Sequence, residues 1–463
     1  MMQLAEKSVL VLGLGETGQS LVRWLDAQGA RVRAADSRDL PPALDEMQAR
    51  FPQVEFRCGV FRSELLEGIE LIAISPGVPL LDPLVQRATA QGIAIVGDIE
   101  LFAAALPQQR RPKIIAITGS NGKTTVTSMV GAMCRAAGLD TEVAGNISPA
   151  VLDVLMTRQG RQPDVWVLEL SSFQLETTAT LGADAAAVLN ISEDHLDRYE
   201  HMAQYIAAKA RIFRGSGKGG VQVLNRDDIN SIGMALLERI QTTFGLDTPP
   251  SENDWGIADD NGTTWLMQGP RRVLDAGELQ LTGLHNVANA LAALALCRSV
   301  GLPLAPLLKA LRAFKGLPHR MEYVAIINDV VYYDDSKGTN VGATVAALQG
   351  LGRSAVLIAG GEGKGQDFSP LQLAVNEHAR AVVLIGRDAE KIAAVLEVCA
   401  KPVLHAPDMP SAVRLSAQLA RPGDAVLLSP ACASFDMFRN YAHRAEVFIA
   451  AVQQLQAEAK CSA

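Results

Sequence analysis

Short apolar runs and longer amphipathic stretches alternate along this chain. The runs at 8–12, 31–35 and 71–74 read as buried parallel strands, and 19–28 repeats its apolar positions at the helical period. Runs at 114–117, 165–170 and 185–189 have the same character, with helical patterns at 126–137 and 205–213 between and after them. The stretch 241–272 differs: Pro249-Pro250 is followed by two short apolar runs joined by Asn261-Gly262, which predicts a hairpin. An alanine-rich helix follows to Cys297, with Asn286 and Asn289 on one face. Beyond it, four apolar strands at 355–359, 381–385, 402–405 and 425–428 are separated by helical patterns.

Strands and helices alternating in this way specify α/β sheets covered on both faces. Two stretches interrupt the alternation. Residues 106–112 have linker composition, and 315–320 reads as a hinge. Three domains are therefore expected: a Rossmann-like domain over 1–105, a central P-loop ATPase-like domain over 106–316, and a doubly wound Rossmann-like domain over 317–463. The length of 463 residues, beyond what one core usually serves, agrees.

Composition narrows the function classes. With 48% hydrophobic and 20% charged residues the chain has ample core, and no apolar run reaches the roughly 18 residues that cross a bilayer. The segment 1–7 runs straight into a strand and shows no signal-peptide pattern, so no membrane insertion is expected. The six cysteines (Cys58, Cys134, Cys297, Cys399, Cys432, Cys461) form no C-x-x-C pair, which favours free thiols in the cytoplasm over a zinc site. A net charge of −8 argues against nucleic acid as a partner. Any attraction for phosphate must come from a few placed cations and amides.

Such a place exists at 117–125. Gly119, Ser120, Asn121, Gly122, Lys123, Thr124 and Thr125 join an apolar strand to a helix, so backbone N–H groups and the helix N-terminus converge on one point. Lys123 is placed to neutralise terminal phosphates and the Thr124 hydroxyl to hold magnesium. The loop is shorter than the common phosphate-loop pattern, with only two residues between Gly119 and Gly122. Glu169, ending a buried strand, is a metal ligand or an acid at a helix start. His195 is a metal ligand or a helix-start residue, and Lys209, on its own, reads as solvated. A second glycine turn, Gly13-Leu14-Gly15-Glu16-Thr17-Gly18, precedes an acid, Asp36, by 18 positions from Gly18. It suits NAD or FAD, or a nucleotide-tailed substrate with its pyrophosphate over Glu16, Thr17 and Gly18 and its base or ribose near Asp36, Ser37 and Arg38. Ser75, in Ser75-Pro76-Gly77-Val78-Pro79, closes a strand where loops line such a crevice. Polar loops at 334–340, 360–365 and 429–436 punctuate the third domain.

Taken together, GLGETG, TGSNGKTT, LELSSFQLE, LNISEDHLDRY, GLHNVANALAA, GLPHRME, DDSKGTNVGAT, GGEGKGQDF and LSPACASFD make the chain resemble the Mur ligases of peptidoglycan synthesis from end to end. The earlier stretches also suit folylpolyglutamate synthases. DDSKGTN and LSPACASFD are more specific and point to the glutamate-adding branch. Ala445, after Arg444, departs from the family's usual glycine.

The resemblance implies an ATP-dependent amide ligase that uses UDP-N-acetylmuramoyl-L-alanine and D-glutamate, working as a monomer in the cytoplasm. It implies ATP over 119–125, with Asn286, Arg320, Asp335 and Lys337 contributing. Two magnesium ions are implied, one on Thr124 and Glu169 and a second helped by His195, together with a carbamate on Lys209 that acts as a metal ligand. It places Thr17, Asp36, Ser37 and Arg38 at the UMP half of the substrate, Asn146 and Ser171 at the sugar and alanyl end, and Thr339, Lys364, Ser434 and Phe435 at the glutamate.

Overall fold

The computed structural model describes residues 3–107, 109–195, 198–215, 220–281 and 283–461, with the side chains of Lys460 and Cys461 excepted. Met1, Gln108 of the linker, Leu196 and Asp197 of the LNISEDHLDRY stretch, and the Cys461 thiol therefore lie outside the described residues.

Three sheets follow one another along the chain. The first holds β1 (Ser8–Leu12), β2 (Arg31–Asp36), β3 (Glu55–Cys58), β4 (Leu71–Ile74) and β5 (Ala94–Val96), all parallel, in the order β3-β2-β1-β4-β5. The strand order reverses beside β1, so its glycine turn opens at the crevice where such sheets take ligands.

The turn is a tight one. Gly13 has φ +88°, and a Cβ on Gly18 would lie 1.7 Å from the Gly13 carbonyl oxygen, whereas one on Gly15 meets nothing within 4 Å. Gly18→Ala is expected to destabilise the protein by about 2–4 kcal/mol, and Gly15→Ala by a few tenths. Thermal denaturation of the two variants checks this; equal melting temperatures would contradict the packing account.

The central sheet runs through β6 (Lys113–Thr118), β7 (Thr141–Gly145), β8 (Val165–Glu169), β9 (Ala185–Val188), β10 (Val221–Asn225), β11 (Gln241–Phe244), β12 (Trp255–Asp260), β13 (Thr263–Gln268) and β14 (Arg271–Asp275). Its order is β14-β13-β12-β11-β10-β9-β6-β8-β7, parallel except for the last two pairings at the β14 edge. Alternate residues of β6 enter opposite cores: Ile114 and Ala116 on one face, Ile115 and Ile117 on the other. That is why the strand is apolar without alternation. The expected hairpin is present. Asn261 and Gly262, both at positive φ, join β12 to β13 in a two-residue turn.

The third sheet holds β15 (Glu322–Ile327), β16 (Val330–Asp334), β17 (Ala355–Gly360), β18 (Ala379–Ile385), β19 (Val403–His405) and β20 (Ala425–Leu428), in the order β15-β16-β20-β17-β18-β19. The expectation of four strands is incomplete. An antiparallel pair, β15–β16, occupies one edge. On β15, Tyr323 and Ile326 stand exposed, so the strand lacks the fully buried signature of its neighbours.

The first and central sheets share one apolar core, which contains Val9, Val11 and Leu21 together with Trp166 and Leu168. The third sheet has cores of its own. Polar contacts, described below, join it to the central domain, and interfaces between domains of one chain favour relative motion unless they are large and apolar. No helix among the described residues is long and apolar enough to cross a membrane. The described cysteines are free thiols.

Candidate active site

The phosphate loop is held from beneath. The Ser120 amide donates to the Asn190 carbonyl at 2.8 Å, and the Asn121 amide to Asn190 Oδ1 at 2.8 Å. The Ser120 hydroxyl donates to the Ser192 carbonyl at 2.9 Å and lies 3.0 Å from the Tyr205 hydroxyl. Gly122, at φ +80°, starts the helix Lys123–Ala136, and a Cβ there would come within 2.5 Å of Asn289 Oδ1. Only glycine suits both demands. Lys123 Nζ folds back and donates to the Gly119 and Ser120 carbonyls at 2.8 and 2.9 Å.

Parallel register brings the carboxylate alongside. Ile117 pairs with Glu169, and Glu169 with Gly145, so three strand ends deliver Thr118, Glu169 and Asn146 to one place. Asn146 Nδ2 donates to Glu169 Oε1 at 2.9 Å, while the buried Oε2 has no hydrogen-bond partner. A carboxylate oxygen left bare in this position suits a cation. Ser171 caps the short helix Ser172–Glu176 with a capping box that includes Gln174.

Lys209 is not solvated; it is 2% exposed. Its Nζ donates to the Gly119 carbonyl at 2.9 Å and to Thr118 Oγ1 at 3.3 Å, above the Tyr205 ring. Burial first, and the charge of Lys123 second, push its pKa well below the usual lysine range. Burial also lowers Lys123, against the pull of Glu169 and Asp194. His195, at φ 59°, sets its ring edge-on to Phe173 with centroids 4.7 Å apart.

The third domain closes the other side. Arg320 Nη2 donates to Thr124 Oγ1 at 2.8 Å, and Asn340 Nδ2 to Asn121 Oδ1 at 3.0 Å. Lys364 Nζ lies 3.6 Å from Asp194 Oδ1. Lys337 Nζ rests 3.7 Å from the centroid of the Tyr441 ring, and burial brings its pKa down to about 8. Asp335 accepts from the Ser429 hydroxyl at 2.7 Å, and burial raises its pKa to about 7.

Two cavities meet at Asn121, Gly122, Arg320 and Lys337. The larger, about 570 Å³, is lined by the phosphate loop from Ser120 to Thr124, by Asn146, Glu169, Ser171, His195 and Lys209, and by Thr339 and Lys364 across from them. Four lysines and an arginine (Lys123, Lys209, Lys337, Lys364, Arg320) face two carboxylates, Glu169 and Asp194, so basic groups outnumber acidic ones here on an acidic protein. The smaller, about 390 Å³, is flanked by Thr125, Asn286 and Asp335, with apolar walls from Leu189, Phe244 and Ala347. Its volume lies in the range of small-molecule sites.

Other expected residues stand apart. Glu16, Thr17, Gly18, Asp36, Ser37, Arg38 and Ser75 line neither cavity, although Glu16 Oε1 accepts from the hydroxyl of Ser148, which lines the larger one. Both Asp36 oxygens are taken: the Leu14 amide donates to one, the Arg38 amide to the other, and the Arg38 guanidinium grips both. Burial would raise its pKa, but Arg38 and the two amides hold it low. Asp36 thus ties the glycine turn to the loop carrying Ser37. Ser434 and Phe435 also line neither cavity. Ser434 is buried, and Phe435 is 70% exposed. Phe173, Tyr205 and Tyr441 are the Phe and Tyr rings that line the larger cavity; Tyr441 comes from the third domain, and nothing in the sequence pattern singles it out. Asp194, Asn340 and Tyr205 carry no such signal in the sequence either.

Three family models match in sequence: the Mur ligase MurD-like N-terminal domain at 7–97, the Mur ligase middle domain at 117–297, and the Mur ligase glutamate ligase domain at 319–432. The UDP-N-acetylmuramoylalanine--D-glutamate ligase of Nitrosospira multiformis is 61% identical, over 98% of this chain and 97% of its own. The enzyme of the same name from Nitrosomonas eutropha is 56% identical, over 98% of each. Among solved structures, the MurF ligase of Thermotoga maritima in complex with ADP superposes with a TM-score of 0.62 at 16% identity, covering 99% of this chain and 96% of that one. The UDP-N-acetylmuramate-alanine ligase MurC of the same organism gives 0.58 at 19%, covering 96% and 99%. These two share the fold.

Proposed function

We infer the reaction from one premise: this chain belongs to the Mur ligase family. It joins D-glutamate to UDP-N-acetylmuramoyl-L-alanine at the expense of ATP, in cytoplasmic peptidoglycan precursor synthesis. The observation that carries this reading is the larger cavity, where a phosphate loop, a bare buried carboxylate and cationic loops of the third domain face one another. The names of the relatives that match over the full chain support the choice of substrates.

The chemistry follows from what a carboxylate lacks. Its leaving group would be oxide, so it must be activated. The alanyl carboxylate oxygen attacks the terminal phosphorus of ATP, the bond to the bridging oxygen breaks, and ADP leaves with an acyl phosphate formed. The glutamate amine, having lost a proton, then forms the C–N bond as inorganic phosphate departs. Lys123, with the amides of 119–125, faces the phosphoryl oxygens where charge builds. Asn286, Arg320, Asp335 and Lys337 hold the nucleotide. Asn146 and Ser171 position the alanyl end, and Thr339 and Lys364 the glutamate. Tyr441 is a better candidate than Phe435 for the aromatic wall of that subsite.

Thr124 and Glu169 fit one magnesium ion, and His195 with a carbamylated Lys209 a second; such ions supply further stabilisation of phosphoryl charge. The UMP half lies along Glu16, Thr17, Gly18, Ser37, Arg38 and Ser75, beside the loop that Asp36 orders. Domain limits near 105 and 316 assign one substrate to each domain, the chain acting as a monomer, and polar docking of the third domain suits closure that excludes water.

With heavy oxygen in the alanyl carboxylate, one label is expected in the inorganic phosphate after turnover. Unlabelled phosphate from a turning-over enzyme would rule out the acyl phosphate.

A further inference from the structure

We propose that Asp194 is the ammonium anchor of the glutamate subsite, with the Lys364 ammonium beside it marking where the substrate's own ammonium binds. This rests on the ligase reading above and specifies its amino-acid subsite.

Glutamate enters as a zwitterion with two carboxylates and one ammonium. Taking these charges out of water requires a partner for each. Cations for the carboxylates are plentiful. Anions are not: the larger cavity is lined by only two carboxylates among the described residues, Glu169 and Asp194. Glu169 lies between Asn146 and the phosphate loop, where its bare oxygen suits a metal. Asp194 faces the third domain instead. Its side chain is 11% exposed, and its Oδ1 accepts from the His195 amide at 3.0 Å.

Its remaining contacts are long. Lys364 Nζ stands at 3.6 Å, His195 Nε2 at 3.6 Å, and Asn340 Nδ2 at 3.5 Å. A charge-assisted hydrogen bond closes to about 2.7–2.9 Å. Lys364 is therefore near Asp194 without being bonded to it, in a contact that can be exchanged. Lys364 itself sits at φ 52°, a conformation that a lysine adopts only when its surroundings hold it there.

An exchange of partners leaves no charge unmatched. A substrate carboxylate takes Lys364, and the substrate ammonium takes the face of Asp194 that Lys364 gives up. The amine then lies next to His195, on the wall shared with Ser171 and Phe173 where the acyl group is expected.

Glutarate, which is glutamate without the amine, separates this role from a structural one. Its inhibition constant and the KM for D-glutamate are measured with ATP and the UDP-substrate saturating. In Asp194→Asn the KM for D-glutamate should rise about tenfold to a hundredfold, the range of a hydrogen bond to a charged group, while glutarate inhibition changes less than about threefold. If both ligands weaken alike, or neither does, the anchor is elsewhere. Should Asp194→Asn fail to fold, Asp194→Glu keeps the charge one methylene further out. It should retain part of the preference for glutamate over glutarate, and loss of the whole preference would overturn the proposal. Failure of the ligase reading is distinct: the unaltered protein would then release no ADP with D-glutamate.

Discussion

Replacing Lys123 by alanine is expected to lower kcat by about 10³-fold, on the order of 4 kcal/mol of transition-state stabilisation, with a smaller change in the KM for ATP. The magnitude follows from where the ammonium sits. Lys123 Nζ is held over the loop by the Gly119 and Ser120 carbonyls, in a buried cavity where a charge acts far more strongly than in water. The other cations cannot replace it. Arg320 is committed to Thr124, Lys337 rests on the Tyr441 ring, Lys209 bonds the Gly119 carbonyl, and Lys364 lies beside Asp194. Lys123→Arg should recover little, because a planar fork does not fill the place of a compact ammonium between two carbonyls. Stability should hold in the alanine variant, since burial already disfavours this charge. Steady-state ADP release and a thermal melt test both halves. Turnover within about tenfold of the unaltered protein would remove Lys123 from phosphoryl transfer.

The fold was legible wherever burial imposed a pattern. β1, β4 and β20 occupy the residues their apolar runs predicted, and the Asn261-Gly262 turn joins the strands expected of it. Local chemistry was legible too: strand, glycine turn and helix at 113–136 are one continuous unit. The half-exposed edge strand β15 escaped because one-sided burial leaves a weak apolar signal.

The site was harder to read, because its contacts span the chain. Arg320 meets Thr124 across 196 positions, and Asn340 meets Asn121 across 219. Periodicity reports which residues face a core; it carries nothing about which loops meet above one. Phe435 and Tyr441 show the cost. Both follow the LSPACAS stretch, and only the path of the chain after Ser434 decides which aromatic reaches the cavity. Lys209 shows the converse. Its neighbours in sequence suggest a surface lysine, and the packing of the helix Met202–Ala210 against the phosphate loop buries it.

That burial underlies the second large effect. Lys209→Ala is expected to lose activity by about 10³-fold or more, with partial recovery when acetate or formate is added. A buried lysine amine is more often neutral than an exposed one, and Lys123 nearby disfavours a second ammonium further. A neutral amine attacks carbon dioxide: the N–C bond forms, one proton leaves, and a cation becomes an anion. On the carbamate proposal, repulsion between Lys209 and Lys123 would become attraction, and the site would gain an anionic oxygen donor for a cation. The sign with pH follows. Because the step uses the neutral amine and releases a proton, carbamate is favoured as pH rises and is lost as pH falls through the lowered lysine pKa. Activity should therefore decline on acidification more steeply in buffer stripped of carbon dioxide, and bicarbonate should restore it. The alanine variant rescued by acetate should show no such dependence. A carbamate carbon signal from protein incubated with labelled bicarbonate, absent in the variant, is the direct observation. Unchanged turnover in Lys209→Ala would leave this lysine a purely structural support of the Gly119 carbonyl.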